Sequence, residues 1–369
     1  MLAPISIVFA VILAAYGIWR KSWVPFIAIA VGLLIALISY NINISMQTSD
    51  IEMWSGTVTK AEHKEEWDEW HPPVDTTHYT YDDEGNITGS YVTTTPGYWE
   101  HHPAENYIWT SDGGSFSISL LSDGKRANDT YINTTEELIS YYPIGMPSAS
   151  YHTYENRVKA SYSIYKHNDI NEDDYPDLPD YPSNISNYIH IDRITGMPWL
   201  TYNSEKRLME VNAYMNRMID DEENPGKMRA WKQANLQFVN VGENKPYEYG
   251  FALQNKWRNG AKNDIIVSYS LDSNNKVLWC LPFSWSEMET FKIEIRDYMI
   301  NKTINNDDEM IEVINYTSER IIDGFVRKQF RDFNYLKVEV TTGCMIWIFI
   351  MYLIMIGISI YVRENEIFS

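Results

Sequence analysis

The sequence is short of cysteine, of positive charge and of every compact catalytic signature. Only two cysteines occur, Cys280 in the apolar run VLWCLPF and Cys344 within a longer apolar stretch. That leaves no disulfide framework, and a thiol in apolar surroundings is a poor nucleophile. Thirty Lys and Arg stand against fifty Asp and Glu, for a formal net charge of −20. A surface that acidic repels nucleic acid and anionic headgroups, which excludes nucleic acid as a partner. There is no GxSxG elbow, no GxxxxGK[ST] phosphate loop, no Rossmann glycine pattern, no HExxH and no paired CxxC.

What the chain does carry is three stretches free of charge and mostly apolar. Residues 1–19 are followed at once by Arg20 and Lys21, residues 22–49 contain WVPFIAIAVGLLIALISY, and residues 341–362 contain CMIWIFIMYLIMIGISIYV. A membrane-spanning helix needs about 20 such residues. The first stretch lacks the basic start of a signal peptide and leads straight into a second apolar run, so a helical hairpin is expected. Lys and Arg accumulate on the cytoplasmic side. Arg20, Lys21 and Arg363 are therefore expected to be cytoplasmic, and the large middle segment extracytoplasmic. The expected architecture is an integral membrane protein with three transmembrane helices and an extracytoplasmic α+β region. Its parts are a transmembrane hairpin (1–43), a β-rich domain (46–165), an acidic Pro/Asp linker (166–195), an α/β domain (196–340), a transmembrane helix (341–362) and a cytoplasmic tail (363–369).

In the β-rich half, IEMWSGTVTKAE alternates as a strand does, and TTHYTYDDEGNITGSYVTTTPGYW has β-branched and aromatic residues on both sides of DDEGN, a hairpin signal. AENYIWTSDGGSFSISLL repeats the pattern. Thr134 and Glu137 form a capping box for a short helix, after which YENRVKASYSIY returns to an extended pattern. The linker is rich in Asp and Pro. Its Asp169, Asn171 and Asp173 copy the first half of a calcium loop, but Asp174 stands where glycine is required and no glutamate follows at the twelfth position, so an ordinary acidic loop is the reading.

The second half alternates helix and strand. SEKRLMEVNAYMNRMIDDEENPG predicts a helix with Leu208, Val211, Met215 and Met218 inward. NLQFVNVG predicts a strand, YEYGFALQNKW a helix, and NDIIVSYSL with NKVLWCLPF a hairpin. Two final helices carry core stripes of Met288, Phe291, Ile295 and Met299, and of Ile311, Ile314, Ile322 and Phe325.

The order strand, helix, strand, strand, helix, helix, followed by a membrane span, resembles the TPM domain, a family of extracytoplasmic α/β modules usually tethered by one helix. WRNGAKNDIIVSYS (residues 257–270) is similar to that family's Trp/Gly-containing turn running into an apolar strand. FVRKQFRDFNYL (residues 325–336) resembles the end of its last helix. Some members show phosphatase activity or bind calcium, and Asp264 falls at the matching turn, which makes it the catalytic candidate the resemblance implies. The family's glycine-rich stretch is replaced here by CLPFSWSEME, so the fold is carried over and the catalysis is not. In the first half, EMWSGTVTKAEHKEEWDEW, YWEHHPAENYIWTSDGGSF and SYHTYENRVKAS resemble an uncharacterised family of membrane proteins encoded by large tailed bacteriophages. That likeness implies a phage protein in the bacterial envelope or virion, and no activity.

The stretch GYWEHHP holds the remaining chemistry. Five of the eight histidines (His63, His71, His78, His101 and His102) fall between residues 63 and 102. A hairpin turning near Glu84 would set Trp67 opposite His101, Glu66 opposite His102 and His71 near Gly97 and Tyr98, with Pro72 and Pro73 disturbing the register. Zinc takes four ligands, and His71, His101 or His102 with Glu62, Glu66 or Glu100 can supply three or four; zinc is the cofactor this points to. Against it, adjacent strand residues point to opposite faces, which separates His101 from His102. The alternative is a hairpin with Trp67, Trp70 and Trp99 packed on one face as a partner surface, and histidines exposed between acids as a patch responsive to pH. Two functions follow. One is a phage-encoded, membrane-anchored envelope or virion-associated protein that presents its acidic domain to a protein partner without chemistry. The other is a metal-dependent hydrolase of phosphoester type, acting through the histidine cluster or Asp264.

Overall fold

The computed structural model describes residues 2–82, 85–119, 132–161, 166–182, 185 and 192–365. The turn tip at 83–84, the strand end expected at 120–121, the extended segment expected at 162–165, most of the linker's second half and the tail beyond Asn365 lie outside the described residues.

Among the described residues three helices are long and apolar enough to cross a membrane: α1 (Leu2–Arg20), α2 (Val24–Thr48) and, last in the chain, α9 (Thr342–Glu364). They pack by close approach of rings and small residues. Phe9 of α1 stacks on Tyr352 of α9 with ring centroids 4.0 Å apart, and Ser6 Oγ lies 2.7 Å from Tyr352 Oη. Gly32 of α2 makes room for Phe9; a Cβ there would fall 2.6 Å from its ring. Ile7, Val11, Leu34, Ile350 and Leu353 are exposed, as lipid-facing side chains would be. Arg20 pairs with Glu364 at 2.5 Å. The basic turn after α1 and the end of α9 therefore share one end of the bundle, and the body joins the other end. α2 runs past its expected end at residue 43, to Thr48, and passes directly into the first strand.

The first half contains β1 (Ser49–Lys64), β2 (Trp67–His71), β3 (Val74–Tyr81), β4 (Ile87–Thr95), β5 (Tyr98–His102), β6 (Glu105–Thr110), β7 (Ser115–Ser117), α3 (Thr135–Tyr141), β8 (Pro147–Glu155) and α4 (Arg157–Ala160). A four-stranded sheet runs β7-β6-β1-β8, with α3 packed on it through Leu138 and Tyr142 against Val58 and Ile108. Thr134 caps α3 as expected, accepting from the Glu137 amide, while the Glu137 carboxylate reaches one residue beyond the expected box and accepts from the Asn133 amide. The extended reading of YENRVKA is corrected. The strand ends at Glu155, and the Asn156 side chain accepts from the Lys159 amide to start a short helix.

The second half contains β9 (Ile194–Thr195), α5 (Tyr202–Asn216), β10 (Met218–Asp220), β11 (Met228–Ala230), β12 (Asn235–Glu243), α6 (Glu248–Lys256), β13 (Asp264–Leu271), β14 (Val277–Ser284), α7 (Glu289–Met299) and α8 (Asp307–Gly324). Its sheet runs β14-β13-β12-β9, with β9, β12 and β13 parallel and β14 antiparallel. Both faces are covered, which is why β13 is buried along its whole length. α5, α7 and α8 pack on one face around Phe238, Val267 and Ile295. α6 packs on the other with Leu178, a residue of the acidic linker, beside Val239 and Ile266.

Three stripe expectations shift. α5 stops at Asn216, whose side-chain amide donates to the Asn212 and Ala234 carbonyls, so Met218 lies in the β10–β11 hairpin. Met288 precedes α7 and is exposed. The buried face of α8 is Met310, Val313, Ile314, Thr317, Ser318 and Ile321; of the expected stripe Ile314 and Phe325 lie in the core and Ile322 packs against it, while Ile311 does not. Residues 325–336 do not end a helix. They leave α8 at Phe325 and place Phe330 and Phe333 against Trp285 and Val158, which ties the two halves together. Asn263 Nδ2 donates to the Met53 carbonyl across the same seam, and the buried Glu52 carboxylate pairs with Arg327 at 2.5 Å.

Candidate functional site

Beyond the first sheet, β1 and β6 continue as β2 with β5 and then β3 with β4. One register holds throughout: Lys60 pairs with Trp109, Lys64 with Glu105, Trp67 with His102, His71 with Tyr98, Val74 with Thr95 and Thr80 with Gly89. Pro72, Pro73 and Pro96 interrupt the ladder without displacing it, contrary to expectation. From Trp67 to Tyr81 this two-stranded ribbon extends about 50 Å at ~3.3 Å per residue. Every residue of β3 is exposed, and every residue of β4 except Gly89. Between Glu65 and His102 there are nine acidic residues and no Lys or Arg.

The expected pairing is off by one residue, and the cause is local. Tyr81 faces Ile87, as counting outward from the turn requires, but Thr80 faces Gly89. Thr88 is the extra residue of a bulge, its hydroxyl donating to the Thr80 carbonyl at 3.2 Å. A one-residue slip changes which side chains share a face. Trp67, Glu69 and His71 share one face with Tyr98, Glu100 and His102. Asp68 and Trp70 share the other with Trp99 and His101. The three tryptophans are therefore not on one face. Trp70 and Trp99 are cross-strand partners with centroids 5.1 Å apart, while Trp67 stacks on His102 at 4.2 Å on the other face. All three are exposed, Trp99 to 67%.

The expected ligand set divides in the same way. His71 Nε2 lies 2.9 Å from Glu100 Oε2 and 3.9 Å from Glu69 Oε2, and His102 Nε2 lies 3.3 Å from Glu69 Oε2. Ligand atoms of Glu69, Glu100 and His102 all fall within 4.8 Å of one another. His101 is on the opposite face, 2.8 Å from Asp68 and 4.0 Å from Glu66. Glu62 pairs with Lys60 farther down β1. Glu69 is the residue sequence reasoning missed; its spacing of two from His71 was the available signal, since i and i+2 share a strand face.

Asp264 opens β13 beside Asn235, its parallel neighbour on β12. Its carboxylate accepts from Asn235 Nδ2 (2.7 Å), Tyr181 Oη (2.6 Å) and the Ala261 amide (2.7 Å). Arg193 Nε donates to Asn235 Oδ1 at 2.6 Å, so Asn235 links a buried guanidinium to the buried carboxylate. Burial pushes the Asp264 pKa up to about 6 and lowers that of Arg193 to about 10. The turn before Asp264 is unusual: Arg258, Asn259 and Gly260 are consecutive left-handed residues, with φ of 51°, 62° and 75°. A Cβ at Gly260 would fall 2.7 Å from Ile266 and 2.8 Å from Asp264 Oδ2. A cavity of about 100 Å³ is lined by Tyr181 and Ala261 together with Asp50, Trp257 and Trp285. In the acidic linker, Asn171 caps a short turn by accepting from the Asp173 amide.

No protein-family model, no curated protein and no solved structure matches this chain.

Proposed function

We propose that this is a membrane-anchored binding protein that holds its body outside the cytoplasm and uses the ribbon to engage a protein partner without chemistry, as an envelope or virion-associated protein of a bacteriophage would. The carrying observation is the ribbon itself, about 50 Å of uncovered β-hairpin bearing Trp67, Trp70, Tyr79, Tyr91, Tyr98 and Trp99 in the open. An isolated two-stranded hairpin is marginal in water, and exposed aromatic rings with free strand edges are what a partner covers. The absence of Lys and Arg from residue 65 to 102 favours a partner face rich in basic side chains, which pair with carboxylates and sit over indole rings.

The basic turn at Arg20–Lys21, placed at the end of the bundle away from the body, supports an extracytoplasmic body. The order β12, α6, β13, β14, α7, α8 ahead of α9 supports a TPM-like second half. The hydrolase reading draws less support: Asp264 faces three donors inside the protein, and the histidine cluster sits on an open ribbon.

A photo-crosslinking residue introduced at Trp99 or Tyr91 of the full chain, in the membranes of the cell that makes it, tests this. Crosslinks to one protein from both positions, and none from a control at Asp308 on α8, are expected. Equal labelling from the control, or none from the ribbon, counts against it.

A further inference from the structure

Glu69 and Glu100 are directly opposed across the ribbon, and like charges in that position destabilise a strand pair. The pair is flanked on its own face by two imidazoles, each with a nitrogen turned toward the carboxylates. Each ring is held by an aromatic partner on the facing strand. His102 stacks on Trp67 (4.2 Å, 11° between planes) and His71 on Tyr98 (4.7 Å, 16°). His102 Nε2 is itself buried and lacks a hydrogen bond: its 3.3 Å approach to Glu69 is an ion-pair distance without hydrogen-bond alignment.

We propose that Glu69, Glu100 and His102, whose ligand atoms lie within 4.8 Å of one another, form a binding site for a divalent ion of the zinc class that clamps β2 to β5, with His71 beside it, 2.9 Å from Glu100, orienting that carboxylate. The separations decide the metal. Zinc bonds nitrogen and oxygen at about 2.0–2.2 Å, which sets the edge of a tetrahedron of ligands at ~3.4 Å. The 3.3 Å separation of His102 Nε2 from Glu69 Oε2 matches that edge. One imidazole and two carboxylates suit zinc, which can complete its four positions with water, whereas calcium takes six to eight oxygens. The ion would neutralise the opposed glutamates and join residues from both strands, stiffening a ribbon that has no core of its own. The site stands whether or not the ribbon meets a protein partner.

The test is zinc titration of the full chain in detergent, freed of metal beforehand and carrying no histidine tag, with calcium as the comparison ion. One zinc per chain is expected, with higher amide-exchange protection in β2 and β5 on binding and no such response to calcium. His102→Ala should weaken zinc by more than about 100-fold, and His71→Ala, which removes the partner of Glu100, by about 10- to 100-fold, the scale on which metal sites respond to lost support. His101→Ala, on the opposite face, should leave affinity unchanged. These ribbon residues are outside the core, so each variant should fold. Absence of stoichiometric zinc, or equal loss in His101→Ala and His102→Ala, overturns the proposal.

Discussion

Glu69 of β2 and Glu100 of β5 occupy one cross-strand position, two carboxylates facing each other on a ribbon that nothing covers. With no metal bound, that pair repels. Glu69→Gln should then strengthen the pairing of β2 with β5 by about 0.5 kcal/mol, since opposed like charges cost a few tenths of a kcal/mol to about 1. The same variant should bind zinc more weakly. Amide exchange in the ribbon at pH 8, with and without zinc, reads both effects, and their opposite signs distinguish a ligand from a bystander.

Trp70 lies against Trp99 and covers Gly97, where a Cβ would fall 2.6 Å from the indole. Trp70→Ala should loosen the ribbon by about 1 kcal/mol, the worth of an aromatic pair. The body should melt as before, because no residue of the main core cluster belongs to the ribbon. Exchange in β5 should rise while exchange in β13 stays constant.

Asp264 gives a pH dependence of known sign. Its folded pKa of about 6 lies above the ordinary value near 4. The folded state thus holds the proton more tightly. The resulting stabilisation is full below about pH 4 and is lost as the pH rises through about 6. From pH 7 to pH 5 the wild type should gain about 1 kcal/mol from this group. Urea unfolding of the wild type and Asp264→Asn at the two pH values should show that increment in the wild type alone.

Glu52 and Arg327 join the two halves as a buried ion pair, with side chains only 3% and 12% exposed. Arg327→Met would leave the carboxylate buried without its cation, at a cost of about 3–5 kcal/mol. The double variant Glu52→Gln/Arg327→Met should recover much of that loss. Thermal unfolding of the four forms measures the coupling.

How far the sequence alone reached depended on how local each determinant was. Residues 24–48 and 342–364 were legible as spans because an uninterrupted apolar run needs no partner to be recognised. The cap at Thr134 and Glu137 was legible because both residues act within one turn. β12 and β13 were legible as strands between helical patterns, from short segments holding Phe238, Val239 and Val241 and Ile265, Ile266 and Val267. The ribbon was legible as a hairpin, but its faces were not: one bulged residue, Thr88, moved every pairing beyond it. That put Trp67 with the histidine–glutamate cluster, brought Glu69 into the cluster and took His101 out. The end of α5 and the face of α8 rest on tertiary contacts, Asn216 with Ala234 and Thr317 inside the core, which no local pattern carries.

The claim on which the rest depends is that the ribbon is the working part of this protein. Lys64 and Glu105 are directly paired, so the chain between them can be replaced by an Asn-Gly turn without disturbing the sheet below. The decisive measurement is how much of the protein crosslinked from Trp99 remains associated with this ribbonless form, in matched membranes, relative to the full chain. An unchanged melting transition of the body together with loss of the partner is the predicted result. Equal association with and without the ribbon would contradict the account.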